Sequence, residues 1–159
     1  MKINLGTPIT GILSEVDGSV NEKIKSFIEN LLQNLRKEGH EVFCALEIEE
    51  FGNKISIASQ CTPRDFERMK ESELYIVFPN NSYGCAVELG WASAFGIPIL
   101  IIQNSRFGLK TPLYEGMKEI TNAQMIIYDS VLDFPSEENH RIIFTTIQSY
   151  ISKLLLEEK

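Results

Sequence analysis

ELYIVFPNNSYGCAVELGWASAFGIPILII, residues 73–102, reads as strand, turn, helix and strand. Residues 74–78 are β-branched, aliphatic or aromatic without a charge, as expected of a strand buried on both faces. PNNSYG is a turn cluster. Beyond it Val87, Trp91, Ala94 and Phe95 recur at helical spacing, and Gly96 followed by Pro98 stops the helix. Residues 97–102 then form a second buried strand. Strand, helix and strand joined this tightly predict a βαβ unit, whose ligands bind in the crevice at the strands' carboxyl ends. That crevice would hold Asn80, Asn81, Ser82, Gly84 and Glu88.

Glu88 is the leading candidate for chemistry, because the helix around it (Cys85, Ala86, Val87, Leu89, Gly90, Trp91) carries no other charge. Read in the first turn, its carboxylate feels two opposed effects: partial burial disfavours the charge, and the helix N-terminus favours it. The plain alternative is a capping residue reaching back toward Ser82 or Tyr83. Ser82 and Gly84 also read two ways. They are an ordinary N-cap and turn glycine, or a hydroxyl and backbone N–H groups offered to a phosphate.

Residues 2–6 read as a central first strand ending in a Gly-Thr-Pro break, which makes Thr7, Ile9 and Thr10 site candidates or simply a polar turn. Residues 20–37 carry Ile24, Phe27, Ile28, Leu31, Leu32 and Leu35 on one helical face, ended by Gly39. Residues 41–46 predict the second strand, and the acidic EIEEFGNK after it a solvated loop. Thr62 as N-cap and Pro63 at the first helical position predict a helix to about residue 72, with Phe66 and Met69 inward. Asp65 then falls in its first turn, either as a dipole-compensating surface acid or as a second reactive carboxylate. A loop over residues 103–109 leads to a helix from Thr111-Pro112 to about residue 120. Residues 123–128 give a fifth strand. Residues 135–156 give a long terminal helix with Ile142, Ile143, Ile147, Tyr150, Ile151 and Leu154 on or near one face and a charged last turn, EEK. The expectation is one α/β domain over residues 1–159, a three-layer sandwich around a five-stranded parallel sheet in flavodoxin-like order 2-1-3-4-5.

Composition bounds the function. A chain of 159 residues with 43% hydrophobic and 23% charged residues is ordinary for a soluble globular protein. Its formal net charge of −7 argues against nucleic-acid binding, because a polyanion would be repelled. The N-terminus lacks the extended apolar run of a signal peptide and no stretch is long enough to span a membrane, so the expected location is the cytoplasm. Cys44, Cys61 and Cys85, with His40 and His140, fit neither a disulfide framework nor a zinc site, and Cys85 reads as core filler. There is no G-x-S-x-G, no Walker lysine loop, no G-x-G-x-x-G and no H-E-x-x-H. What remains in the crevice is a pair of carboxylates, Asp65 and Glu88, among hydroxyls and backbone donors.

D-F-E-R-M-K-E-S-E-L-Y-I-V-F-P, then S-Y-G-C-A-V-E-L-G-W-A, then G-I-P-I-L-I-I resembles the nucleoside 2-deoxyribosyltransferase superfamily. Within it, the S-x-G-x-x-x-E-L-G form is similar to the nucleoside 5′-monophosphate N-glycosidases, including 2′-deoxynucleoside 5′-phosphate N-hydrolase and, through the ELGWA and FP elements (Pro79), the CMP hydrolases. The resemblance implies hydrolysis of the N-glycosidic bond of a nucleoside 5′-monophosphate, with no metal or cofactor. Glu88 would act at C1′ of the sugar and Asp65 would lie near the base or the sugar hydroxyls. Ser82 and Gly84 would hold the 5′-phosphate, Pro79 and Asn80 would line the site, and Thr111 would reach the phosphate from the partner subunit of a homodimer. The first loop, TPITGILSEVDG, departs from relatives that carry aromatic and basic residues there. Base exchange between deoxynucleosides, and a nucleotide-binding module without turnover, remain the alternatives.

Overall fold

The computed structural model describes residues 1–14, 16, 18–107, 111–131 and 134–157. Gly108 and Leu109 of the loop expected after the fourth strand, Glu15 and Asp17 of the first loop, and Glu158 and Lys159 of the charged last turn lie outside the described residues.

Five strands, β1 (Lys2–Gly6), β2 (Glu41–Phe43), β3 (Leu74–Val77), β4 (Ile99–Asn104) and β5 (Ala123–Tyr128), form one sheet in the order β2-β1-β3-β4-β5. Every pairing is parallel. Each of Leu74, Tyr75, Ile76 and Val77 is 0% exposed, so β3 is covered on both faces as its composition requires. Leu74 and Ile76, with Leu100, Ile102, Ile3 and Leu5, pack under α1 (Glu22–Lys37) and the last helix, α6 (Glu137–Glu157). Tyr75 and Val77, with Ile99 and Ile101, face Met69, Cys85, Leu89 and Ala92, which belong to α3 (Ala58–Lys70) and α4 (Tyr83–Ala94). Each buried aliphatic side chain stabilises the fold by about 1.5–3 kcal/mol.

Several elements depart from the sequence expectation. The second strand stops at Phe43, and Ala45–Ile48 is instead a one-turn helix, α2. The acidic stretch after it is not wholly solvated: Glu49 is 2% exposed, and Phe51 is buried at a left-handed φ of 54°. Gly52, at φ 98°, holds the same bend where a Cβ would meet the Gly18 carbonyl oxygen at 2.5 Å. Helix α3 begins at Ala58, so Pro63 lies inside it and Asp65 sits in its middle rather than its first turn. Proline lacks the N–H that would bond back one turn. The residues before it tolerate that loss because the Ser56 N–H is anchored by Glu49 and the first turn is tied by Gln60 and Cys61 N–H to Ile57 O.

Helix α4 also turns a different face inward. Cys85, Leu89 and Ala92 are buried, whereas Val87 is 51% exposed; Trp91 is partly covered, with its ring edge-on to Phe66 at 5.3 Å. Apolar residues lie all round this helix, so their spacing cannot select the buried face. The helix expected after Thr111 is a single turn, α5 (Pro112–Glu115), continued as a 3-10 turn over Gly116–Glu119. In α6, Ile142 is 69% exposed while Ile143, Ile147, Tyr150, Ile151 and Leu154 are buried. No helix among the described residues is long and apolar enough to cross a membrane.

Candidate active site

β1 lies between β2 and β3, so the chain leaves β1 toward one neighbour and returns on its other side. Such a reversal opens a crevice at the strands' carboxyl ends. Gly6 pairs with Val77 at that end, which places Thr7 and the Pro79–Ser82 turn at its mouth.

Ser82 caps α4, its Oγ accepting from Cys85 N at 3.2 Å. With Ser82 as N-cap, Glu88 falls in the second turn and cannot be the N3 residue of a capping box. It borders the buried stripe formed by Cys85, Leu89 and Ala92, and is itself only partly exposed. Its Oε2 accepts a hydrogen bond from Tyr75 Oη at 2.5 Å. Desolvation raises the Glu88 pKa to about 7; the Tyr75 hydrogen bond opposes that rise, and the charge of Asp65 adds to it. No cation pairs with Glu88 among the described residues. It is therefore an acid poised to hold or release a proton near neutrality.

Tyr75 and Gly6 were not singled out in the sequence. Tyr75 reads there as strand filler, yet its phenol reaches along the sheet and lies over Gly6. A Cβ on Gly6 would stand 2.2 Å from Tyr75 Oη. The missing side chain of one strand thus makes room for a ring from the next. Burial, together with the Glu88 charge, pushes the Tyr75 pKa well up, so the phenol keeps its proton and donates it.

Asp65 lies on α3, near enough for its charge to help raise the Glu88 pKa. Its Oδ1 accepts from Arg64 Nε at 2.8 Å, and Arg64 Nη2 donates to Glu49 Oε1 at 2.9 Å. Glu49 also accepts from the Ser56 N–H. Its burial opposes ionisation, but the Ser56 and Arg64 hydrogen bonds prevail and hold its pKa below the usual carboxylate range.

Across the mouth, Pro8, Gly11 and Ile12 of the first loop face Asn80, Asn81 and Ser82 over a cavity of about 80 Å³. Asn80 adopts a left-handed φ of 39°, a conformation asparagine tolerates better than most residues. Thr7 Oγ1 is enclosed with no hydrogen-bond partner among the described residues, Ile9 is partly buried and Thr10 is exposed. Pro79 is buried and Gly84 exposed. Thr111 caps α5, its Oγ1 accepting from Leu113 N at 3.3 Å, and does not line this cavity. Among the expected residues, the first loop and the 80–82 turn line one cavity, and the Asp65 charge is felt at Glu88. A larger cavity of about 610 Å³, lined by Arg106, Asp129 and His140 among others, lies at the ends of β4 and β5 without any of these residues. The Cys85 thiol is pushed up far beyond its usual range by burial, which makes it inert.

No protein-family model matches the chain, and no curated protein matches it. Among solved structures, the CMP N-glycosidase BcmB of Clostridium botulinum superposes with a TM-score of 0.67 at 25% identity, covering 94% of this chain and all (100%) of that one. The chain has the fold of the nucleoside 2-deoxyribosyltransferase-like superfamily. BlsM, at 23% identity, gives a TM-score of 0.75 over 97% of this chain and 91% of its own. A 2-deoxyribosyltransferase from Bacillus psychrosaccharolyticus gives 0.52 at 20% identity, covering 88% of this chain and 96% of that one. The solved structures this chain resembles thus include two enzymes, a CMP N-glycosidase and a 2-deoxyribosyltransferase.

Proposed function

We propose that the protein hydrolyses the N-glycosidic bond of a nucleoside 5′-monophosphate, a pyrimidine nucleotide such as CMP being preferred, to give free base and pentose 5-phosphate. The observation that carries this reading is the Glu88 carboxylate, partly enclosed, without a cation among the described residues, held by Tyr75 and within the influence of a second acid, Asp65. Loss of a base leaves positive charge on the sugar, and an uncompensated carboxylate beneath C1′ meets that charge. Glu88 acts either by stabilising the cationic sugar or by forming an ester at C1′ as the C1′–N bond breaks, its electron pair leaving with the base. Water then attacks C1′, giving up a proton and regenerating the carboxylate. Asp65 serves as the second acid, toward the base or the sugar hydroxyls. Ser82 and Gly84, at the N-terminus of α4, suit a 5′-phosphate, since Ser82 Oγ still has its proton to donate. Thr7, Ile9, Thr10, Pro79 and Asn80 line the approach.

The test is chromatographic. Purified protein is incubated with ribo- and deoxynucleoside 5′-monophosphates and with the matching nucleosides, and free base is scored. Base from one monophosphate and none from its nucleoside is the expected result. A new nucleoside formed only when an acceptor base is added would instead identify a transferase, and ligand-induced thermal stabilisation without base release would identify a binding module.

The homodimer belongs to the same proposal, with Thr111 contributed from the partner. Tyr83 (81% exposed), Val87 (51%), Gly90 and Ala94 form an apolar strip along α4 at helical spacing. A Cβ on Gly90 would meet nothing within 4 Å, although glycine costs a helix interior about 1 kcal/mol. A second helix laid on this strip explains both. Val87→Arg should convert the dimer to monomer in light scattering behind gel filtration, with base release falling by about tenfold or more. A wild-type protein that elutes as a monomer even at the highest concentration loaded would rule out the homodimer.

A further inference from the structure

Neighbours in a helix do not face each other, so the Arg64–Asp65 hydrogen bond between consecutive residues of α3 needs a cause. The cause lies outside the helix. Arg64 is drawn across toward Glu49, a carboxylate 2% exposed on the loop after β2, and its Nε is thereby turned to Asp65 Oδ1. The guanidinium centre also lies 6.0 Å from the Phe43 ring. A planar, forked donor can span two carboxylates in fixed geometry, as an ammonium cannot. Asp65 in turn acts on Glu88 from α3, while Tyr75 acts on it from β3.

We propose that Arg64 is a positioning residue: locked by the buried Glu49 carboxylate, its guanidinium fixes Asp65 in place opposite Glu88, so that the loop after β2 governs the geometry of the reactive pair. This rests on the reading of Asp65 and Glu88 as the groups that act on the nucleotide. One oxygen of Asp65 is committed to Arg64, which leaves the other to meet the ligand. The acidic loop therefore belongs to the site without touching substrate.

Arg64→Met, Arg64→Lys and Glu49→Gln, each with and without Asp65→Asn, test the proposal through two readouts. The first is kcat and KM for base release from CMP. Arg64→Met should lower kcat about 10–100-fold while KM changes less than about threefold, and the loss should vanish in the Asp65→Asn background. Arg64→Lys should restore only part of it. The second readout needs no turnover: the Glu88 carboxyl titration, followed by carbon NMR in the free protein. Asp65→Asn should move that titration to lower pH in the wild-type background and by a smaller amount once Arg64 is gone. Should Arg64→Met leave the Glu49 charge stranded and the fold weakened, the Glu49→Gln/Arg64→Met pair removes both charges and carries the same comparison. An Asp65→Asn shift of equal size with and without Arg64 would overturn the proposal. A wild type that releases no base while the NMR comparison holds would sink the hydrolase reading and leave the positioning intact.

Discussion

Glu88→Gln should abolish base release, by about a thousandfold or more, and at the same time make the protein more stable above neutral pH. Both effects come from one carboxylate. In the fold its pKa is raised from 4.5 to about 7, so the folded state holds a proton there that the unfolded state has released. The stability contributed by that proton is fully present below about pH 4.5 and is lost as pH rises through about 7. Glutamine cannot ionise and escapes the loss. Its advantage over wild type should be nearly absent at pH 4.5 and reach about 3 kcal/mol at pH 8, or about 8 °C in Tm. Thermal denaturation at the two pH values measures the difference directly. A Glu88→Gln protein with undiminished turnover would end the catalytic assignment, and equal Tm differences at both pH values would show that Glu88 is not held protonated by its surroundings.

The rate should follow the same group with the opposite preference. Turnover needs the carboxylate, so kcat/KM should climb as pH rises through about 7. Tyr75→Phe removes the hydrogen bond that favours the charged form, and the rising limb should move to higher pH.

The order of the strands was legible because it depends on local signals. Residues 74–78 and 97–102 are too apolar to lie anywhere but in a sheet covered on both sides, and the helices between strands are punctuated by Gly39, Gly96 and Pro98. The site was legible in part, since an unpaired acid stands out in an uncharged helix. What escaped depends on contacts between distant residues. Glu49 looks like any residue of an acidic loop until Arg64, fifteen positions on, reaches it. The inward face of α4 could not be chosen while both faces were apolar. Pro63 suggested a helix start because that is where proline costs least, yet the turn before it is tied down by Glu49 through Ser56, which no local pattern announces. Tyr75 resembled its aliphatic neighbours, and the one clue to its role was the glycine at the end of the adjacent strand.

That glycine leaves the space in which the Tyr75 ring sits. Gly6→Ala should destabilise the protein by about 1–3 kcal/mol and lower base release by about tenfold or more. The new Cβ would stand 2.2 Å from Tyr75 Oη and 2.7 Å from two ring carbons, well inside van der Waals contact. The ring is the far end of a side chain, but it is 0% exposed and enclosed between β1, α4 and the residues of β4, so it cannot swing into water. It must shift within the core or push β1 from β3, and either movement breaks the hydrogen bond to Glu88. Tyr75→Leu alone should also destabilise, by leaving a cavity where the phenol was. In the double variant Gly6→Ala/Tyr75→Leu the added methyl enters that space, so the two costs should fail to add by about 1 kcal/mol or more in urea titrations. Turnover should not recover with stability, because the donor to Glu88 is gone. Additive costs, or full activity in Gly6→Ala, would show that the phenol is not seated on Gly6 in solution and that Glu88 is not held from β3.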